Sequence, residues 1–572
     1  MYNQPLNIMF RKNTKHLQTD MFGLFYSLPK SMQDKIRRSE EYYFYQLIFS
    51  QIDEQLFSVI YSDKKSRPNA PVNSMVSALI LMNRYGWTYE ELFKNIQFNI
   101  LTKIAIGLDS IEQMPFNNAT LFNFQNRINE YFIKNGENLF EQVFDGLSAE
   151  QLKRLKIKTN IQRTDSFAAA SNIRNYSRLQ LLVELVIRIW RILTDDDKIQ
   201  FKTHFETYVK KTSGQYIYSL KSSDFPNELE KIGRLYYWID SNLKEKYQQS
   251  EIFKTFIRVY DEHFSVVNDK IFVKSAEELT SDSVQSPDDI DAAYRKKNNI
   301  ISKGQTVNVV ETAHPENKVN LISDVDINPV NKDDSVVLNN RLDKLKEKTP
   351  DLDELHFDGA YGSQANDEKF AEYNITAVQT AVKGIKTDVE INIEKLNSKQ
   401  YIVSCPYQKV YSQKTRKRNK ALFSYSICNQ CSLRSSCPTQ KMKKNRVYYF
   451  TEKEYLANKR QKIINSLPVE RRTLRNNIEA TVNEFTCKMR KKKLKVRGAF
   501  KTSVFAYTMA TSINFGRIFR YLQENPPKIM ETLCLLLKYF KEQIRFLLHY
   551  TFLKQKNLKS YIVYLRTPIF NF

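Results

Sequence analysis

The chain has 572 residues, enough for several domains, and its 42% hydrophobic content with 36 Phe and 33 Tyr excludes global disorder. Against 63 Asp+Glu stand 88 Lys+Arg, a net charge of +25 and a pI near 9.4, which favours a polyanionic partner because Lys and Arg displace counterions from phosphates. The stretch Met1-Tyr2-Asn3-Gln4-Pro5 is not a basic run leading into an apolar one. The most apolar helical stretches, 179–193 and 529–548, are interrupted by Glu184, Arg188, Arg191, Lys538, Lys541, Glu542 and Arg545. Neither a secretory signal nor a membrane span is therefore expected, and a cytoplasmic location makes disulfides improbable.

Residues 35–150 read as helices. Val72–Tyr85 carries apolar residues at helical spacing, and Thr88-Tyr89-Glu90-Glu91 supplies a capping box ahead of Leu92, Phe93 and Ile96. A third helix starts near Asn118-Ala119-Thr120 and runs through Leu121, Phe124 and Ile128. Such short helices with scattered cations suit a helix-turn-helix DNA reader and an ordinary bundle equally. The alternating run Leu155–Thr164 predicts a strand with Asp165 at its end. From Ser177 to Phe272 the pattern is helical, with Leu179, Leu182, Val183, Leu185, Val186, Ile189 and Trp190 forming an apolar stripe, and 276–291 reads as a Ser/Asp-rich loop. Strands at 306–310 and 319–325, a helix at 334–346, a short strand ending in Asp358, a helix at 366–373 and a strand at 375–379 complete a mixed sheet flanked by helices, an α/β layer architecture.

Asp358 lies in Phe357-Asp358-Gly359-Ala360-Tyr361-Gly362-Ser363, where a Gly-bracketed turn breaks the strand. An Asp before a Gly is ordinarily a turn former. Two carboxylates on strand ends far apart in sequence are also what a two-metal phosphoryl-transfer site needs. Four of the six cysteines, Cys405, Cys428, Cys431 and Cys437, fall within 33 residues, and Cys428-Asn429-Gln430-Cys431 is a Cys-x2-Cys knuckle. Their spacing suits tetrahedral zinc, with unmetallated thiols as the alternative, since a thioredoxin-like redox pair lacks its βαβ setting here. Cys487 and Cys534 read as lone packing residues. A helix from Val469 to about Lys492 puts Arg472, Arg475 and Glu479 on one face at i, i+3, i+7, while Glu484 lies about 140° round from Glu479. The basic run that follows, Lys488-Met489-Arg490-Lys491-Lys492-Lys493-Leu494-Lys495-Val496-Arg497-Gly498, points to nucleic acid.

These blocks resemble DDE-type transposases of bacterial insertion sequences, of the eleven-eighty-two group. Carrying the resemblance are Arg67–Val72, Tyr85–Leu92 and Asn118–Phe124 in the helical segment, Arg163-Thr164-Asp165-Ser166, Ser286–Lys297, Phe357–Ser363, the cysteine-bearing insertion and Arg475-Asn476-Asn477-Ile478-Glu479. The last fits the Arg-x3-Glu part of a Tyr-x2-Arg-x3-Glu-x6-Lys signature, but Arg472 stands at the Tyr position and Thr486 at the Lys position, with Lys488 two residues late. The resemblance implies an RNase H-like core in which Asp165, Asp358 and Glu479 bind two Mg²⁺ or Mn²⁺ ions. One ion would activate water and later a DNA 3′-hydroxyl, and the other would stabilise the leaving oxygen. Arg472, Arg475, Lys488, Arg490, Lys491, Lys492, Lys493, Lys495 and Arg497 are the expected DNA contacts. Asp324, Asp326, Asp333 and Asp334 are a rival source for the second ligand, read here as strand-end and N-cap acids.

The expected organisation is a helical, helix-turn-helix-like domain at 1–150, an RNase H-like core at 151–176 and 273–385, and a helical insertion at 177–272. A small zinc-ribbon-like insertion at 386–450, the last catalytic helix at 451–525 and a basic amphipathic helical tail at 526–572 follow. The expected partner is double-stranded DNA, both terminal inverted repeats and target, bound by a homodimer in the synaptic complex of a nucleoid-associated bacterial protein. A nuclease without strand transfer, or an inactive or domesticated DNA-binding descendant, is the alternative.

Overall fold

Strand β1 (Ile161–Ala170) lies inside a six-stranded mixed sheet and has neighbours along both edges, so its side chains are buried or half-buried throughout. The computed structural model describes residues 10–17, 23–62, 68–297, 299–379, 389, 391–397, 400–489 and 492–525. The chain divides into two compact units, 1–515 and 516–572, and of the second only 516–525 are described, all but the last belonging to the helix Ala499–Glu524. The C-terminal tail expected at 526–572, and with it Cys534, lies outside the described residues. No helix among the described residues is long and apolar enough to cross a membrane.

In the first unit the helix Val72–Tyr85 spans the residues predicted and ends at Gly86, whose φ of 69° makes the left-handed cap that glycine adopts without strain. The expected capping box is present: Thr88 and Glu91 satisfy each other's backbone amides at the start of Tyr89–Phe98. The third helix runs Asn118–Asn135 with Asn117 as its cap.

The helix Leu139–Arg154 occupies residues just ahead of β1, and Lys156 takes a left-handed φ of 52°. The strand expected over Leu155–Thr164 therefore begins only at Ile161, and it continues past Asp165 to Ala170. Asp165 is mid-strand rather than terminal because β5 (Ile300–Thr312) pairs antiparallel with β1 from Gln162 to Ala170. Gly304, opposite Ala170, makes that closeness possible, since a Cβ there would stand 2.5 Å from the Ala169 carbonyl oxygen.

Between β1 and β5 the apolar stripe at 179–193 packs with Tyr236, Phe253, Phe256 and Phe264 in a helical core of its own. The helical pattern stops at His263 rather than Phe272, and a hairpin of β2 (Phe264–Val267) and β3 (Lys270–Val273) follows. Asn268 and Asp269 both carry positive φ, the requirement of a two-residue type I′ turn, which the helical reading overlooked. Strands β4 (Ala293–Lys297) and β6 (Ile322–Pro329) share the outer edge of β5 in succession. On the other side β1 pairs parallel with β7 (Glu354–Phe357), and β7 parallel with β8 (Thr376–Gln379). The helices Asp334–Lys348 and Gln364–Glu372 make the connections before and after β7, and Leu338, Leu342, Leu345, Leu355, Phe357 and Phe370 close the core between helices and sheet.

The four-cysteine segment forms a six-stranded antiparallel sheet, more than the small ribbon expected. Its strands are β9 (Asn392–Lys395), β10 (Tyr401–Cys405), β11 (Gln408–Lys414), β12 (Asn419–Ser424), β13 (Gln440–Lys441) and β14 (Asn445–Phe450), in the order β13-β14-β12-β11-β10-β9. The helix Glu452–Ser466 packs on β8 of the first sheet and on β9 and β14 of the second. The single helix expected from Val469 to Lys492 is instead three pieces: Val469–Arg472, a 3₁₀ turn Leu474–Asn477, and Ile478–Thr486. It breaks because the buried Arg163 takes the Leu474 carbonyl at 2.8 Å, an acceptor that a continuous helix would use internally.

Candidate active site

In the parallel pairing of β1 with β7, the last matched residues are Arg163 and His356. Two residues beyond that pair stand Asp165, within β1, and Asp358, just past the end of β7, and the charge of Asp358 reaches Asp165. Asp358 Oδ1 accepts the Ala360 amide at 2.8 Å, so it forms the turn as well as facing the site.

Burial pushes the Asp165 carboxyl up from its ordinary pKa. Arg475 and the Ser166 amide pull it back, and the charges of Asp358 and Asp334 push it up again. Arg475 Nη2 donates to Asp165 Oδ2 at 2.6 Å, and its Nη1 stands 3.5 Å from Glu479 Oε1. Arg475 thus bridges Asp165 and Glu479. Its side chain is 14% exposed whereas that of Glu479 is 71% exposed, so Glu479 stands at the solvent edge. Across the break Arg475 and Glu479 still meet as an i,i+4 pair. Arg472 Nε donates to the Leu467 carbonyl.

Both acid-bearing strands grip this broken helix. From β1, Arg163 pairs with Glu311 of β5 at 2.5 Å, and Glu311 Oε2 accepts the Thr481 hydroxyl at 2.6 Å. From β7, Glu354 accepts hydrogen bonds from Arg471 Nε and Nη2 at 2.9 and 2.6 Å and contacts His356 Nε2 at 2.5 Å. Burial pushes the Glu354 carboxyl up, but hydrogen bonds from His356 and Arg471 outweigh it and hold the pKa at about 2.

The rival acids separate on folding. Asp324 is wholly buried between Arg341 and Lys348, at 2.7 and 2.5 Å, which leaves it a structural counter-ion. Asp326 faces Arg341 at 3.7 Å and accepts the Asn328 amide at 2.6 Å. Asp333 holds the N-cap position without a side-chain capping bond. Asp334 differs: its Oδ1 accepts the Ser166 hydroxyl at 2.9 Å, and its charge reaches Asp165. Asp334, weighed in the sequence as a rival ligand but read as a capping acid, thus comes beside Asp165, and no local signal distinguishes it from Asp333. Beneath the acids the buried Tyr361 hydroxyl donates to Asn308 Oδ1 at 2.6 Å.

Much of the basic run is used within the protein. Lys492–Val496 adds to the end of β1, with Leu494 N donating to the Ala170 carbonyl and Asn172 N to that of Val496. Lys493, Lys495 and Arg497 donate to the carbonyls of Ile173, Gly86 and Asn172 at 2.9, 2.8 and 2.8 Å. Lys488 lies against Gly86, and Arg490 and Lys491 lie outside the described residues.

Cys405, Cys428, Cys431 and Cys437 line one cavity, with Val389, Phe423, Ile427 and Leu433 among its other walls. Burial, with Cys405 and Cys437 nearby, pushes the Cys428 thiol up, and Gln408 donates to its sulfur at 3.2 Å. Cys487 is exposed at the end of the Ile478–Thr486 helix rather than packed, its thiol turned to the Glu484 carbonyl. Among the described residues no three His, Cys, Asp or Glu side chains are arranged to hold one metal ion.

Residues 31–127 match the family "Transposase domain (DUF772)", and residues 399–519 match the family "Transposase DDE domain". No curated protein matches the chain. The two matches, the second containing the four cysteines, Arg475 and Glu479, indicate an insertion-sequence DDE transposase.

Proposed function

We propose that this transposase cuts DNA strands at terminal inverted repeats and joins the freed ends to target DNA, with Asp165, Asp358 and Glu479 as the acidic triad. The observation that carries this is Arg475, which ties Asp165 to Glu479 where the charge of Asp358 also reaches Asp165. The order β6-β5-β1-β7-β8, antiparallel on one side of β1 and parallel on the other, supports an RNase H-like core.

The oxygen donors suit hard divalent cations: burial first, and then the charges of Asp358 and Asp334, disfavour the charged form of Asp165, which a bound cation would reverse. Two Mg²⁺ or Mn²⁺ ions held by the triad would supply Lewis-acid stabilisation to the attacking and leaving oxygens of an in-line displacement at phosphorus. Asp165 within β1 and Asp358 just past the end of β7 would fix the site's position, with the exposed Glu479 at its solvent edge. The Arg475 fork, which neutralises Asp165 here, matches a phosphate as well as a carboxylate. Asp334 orients Ser166 next to Asp165. The cysteine cavity, lined by Cys405 at the end of β10, Cys428 in the short helix Tyr425–Asn429, and Cys431 and Cys437 after it, has the donor chemistry of a structural zinc site, and zinc would clamp that end of the second sheet. Synapsis of two element ends calls for a homodimer.

The test is incubation of the purified protein and its Asp358→Ala variant with Mg²⁺ and the DNA flanking its own gene. Cutting at matching inverted ends with joined products, by the unaltered protein alone, is the expected result. Cutting without joining makes it a nuclease on the same core. Binding without cutting, in Mn²⁺ as well, makes it a DNA-binding descendant.

A further inference from the structure

Between residues 396 and 450 the chain carries twelve Lys and Arg and no Asp or Glu, in a protein that elsewhere mixes the two signs. All but one of these cations, Lys399, belong to the described residues. None of the described ones makes an ion pair with a described carboxylate. The strand register sorts the side chains of this second sheet into two faces. Ile393, Tyr401, Val403, Ala421, Phe423 and Phe450 form the core face. By alternation Lys409, Tyr411 and Gln413 of β11, Lys420 of β12 and Tyr449 of β14 belong to the other face, with Gln413 opposite Lys420 and Lys420 opposite Tyr449. Tyr411 is 64% exposed, and Arg418 lies over the Tyr449 ring at 4.4 Å. The only carboxylate on the six strands, Glu394, is on the edge strand β9.

Two turns extend the charge. Arg416, Lys417 and Arg418 form the exposed turn between β11 and β12, and Lys443 and Lys444 the exposed turn between β13 and β14. They stand at opposite ends of β12, whose six residues span about 20 Å at the usual rise of a strand. Cations spread over that length, interleaved with exposed aromatic and amide side chains and free of competing acids, match a phosphate backbone rather than a compact anion. A solvated face kept positive only for solubility would not need acids excluded from all 55 residues.

We propose that the open face of this second sheet, with the 416–418 and 443–444 turns, is a docking surface for duplex DNA. It would add backbone contacts to those of the basic run, where Lys493, Lys495 and Arg497 each also hold a backbone carbonyl of the protein. The helix Glu452–Ser466 packs on both sheets, so DNA held on this face is tied to the element that leads directly to Arg475 and Glu479. The inference rests on the reading of the chain as one that works on DNA, but not on the acidic triad.

The experiment measures affinity of the full chain for a random-sequence 30-base-pair DNA duplex across a salt series. Compared are Arg416→Gln/Lys417→Gln/Arg418→Gln, Lys443→Gln/Lys444→Gln, and a control with equal charge loss, Lys202→Gln/Lys211→Gln/Lys221→Gln, whose exposed lysines lie in the helical insertion. The expected result is a loss of about ten-fold or more in the 416–418 variant, with its log–log salt slope shallower by roughly two to three, and a slope change of about one to two in the 443–444 variant. The control should change little, and melting temperatures should confirm that all three fold. Equal losses in control and sheet variants would overturn the proposal, as would tighter binding of the same sequence as duplex RNA, or competition by polyglutamate as effective as that by DNA. Cleavage of the DNA flanking the gene, assayed with the same protein preparations, separates the two readings: selective loss of affinity in a protein that never cuts that DNA, in Mg²⁺ or Mn²⁺, keeps this surface and removes the triad. Cutting with affinity unaltered in both sheet variants does the reverse.

Discussion

Arg475 and Asp165 are 310 positions apart in sequence, yet Arg475 Nη2 lies 2.6 Å from Asp165 Oδ2, with each side chain about 15% exposed. The same guanidinium is 3.5 Å from Glu479. The planar fork offers each carboxylate its own nitrogen in a fixed geometry, whereas a lysine would have to serve both from one ammonium. Arg475→Gln should lower single-turnover cleavage by roughly 100-fold, the scale of losing one preorganised charge-stabilising group. Arg475→Lys should recover only a small part of that. Full activity in the lysine variant, measured at saturating DNA, would reduce Arg475 to a point charge.

Asp165 links metal binding to stability. Its folded-state pKa is raised, so its contribution to stability is fully present below its unfolded pKa and is lost as pH rises through the folded value. Near pH 7.5 the charged form therefore opposes folding, and a divalent cation should offset this. Mg²⁺ or Ca²⁺ should raise the melting temperature by several degrees at pH 7.5 and much less at pH 4.5. In Asp165→Asn and Asp358→Asn the rise should disappear. An undiminished rise in both would place the ions elsewhere.

Glu354 shows the opposite sign. Its folded pKa of about 2 lies below the unfolded value of roughly 4.3. Its stabilisation is therefore present above about pH 4.3 and is lost as pH falls toward 2. Glu354→Gln should cost about 2 kcal/mol at neutral pH, the scale of hydrogen bonds to a charged group, and should flatten the urea midpoint between pH 4.5 and 2.5. A variant with the parent's pH profile would show that the Arg471–Glu354–His356 contacts carry no such load.

Asp324 should behave as a counter-ion rather than a ligand. Asp324→Asn leaves Arg341 and Lys348 short of a wholly buried charge and should destabilise the protein by about 3–5 kcal/mol. Loss of cleavage with an unchanged unfolding midpoint would instead return Asp324 to the list of metal ligands.

For the cysteine cavity, protein purified without chelators should contain about one zinc per chain, and Cys431→Ser should lose it. Protease sites in 400–450 should open first on chelation. Metal-free protein with those sites still protected would leave four ordinary thiols.

What the sequence determined by itself was local or compositional. The Thr88–Glu91 box, the Val72–Tyr85 helix, the turn at Asp358 and the net charge depend on atoms within a few residues or on counts, so spacing alone exposes them. Only the tertiary structure decided the rest. Strand β1 runs past Asp165 because β5 pairs with it, and the Val469 helix breaks because Arg163, over 300 residues earlier, takes the Leu474 carbonyl. Asp324 and Asp334, ten residues apart in one acidic cluster, part ways because Arg341 and Lys348 surround the first while Ser166 and Asp165 face the second. In a basic run that reads as a nucleic-acid contact, three of seven cations also meet backbone carbonyls, two of them just past the end of β1 and one at Gly86. The physical reason is common to all four: a side chain's role is set by the partner it meets, and these partners are brought together only by folding.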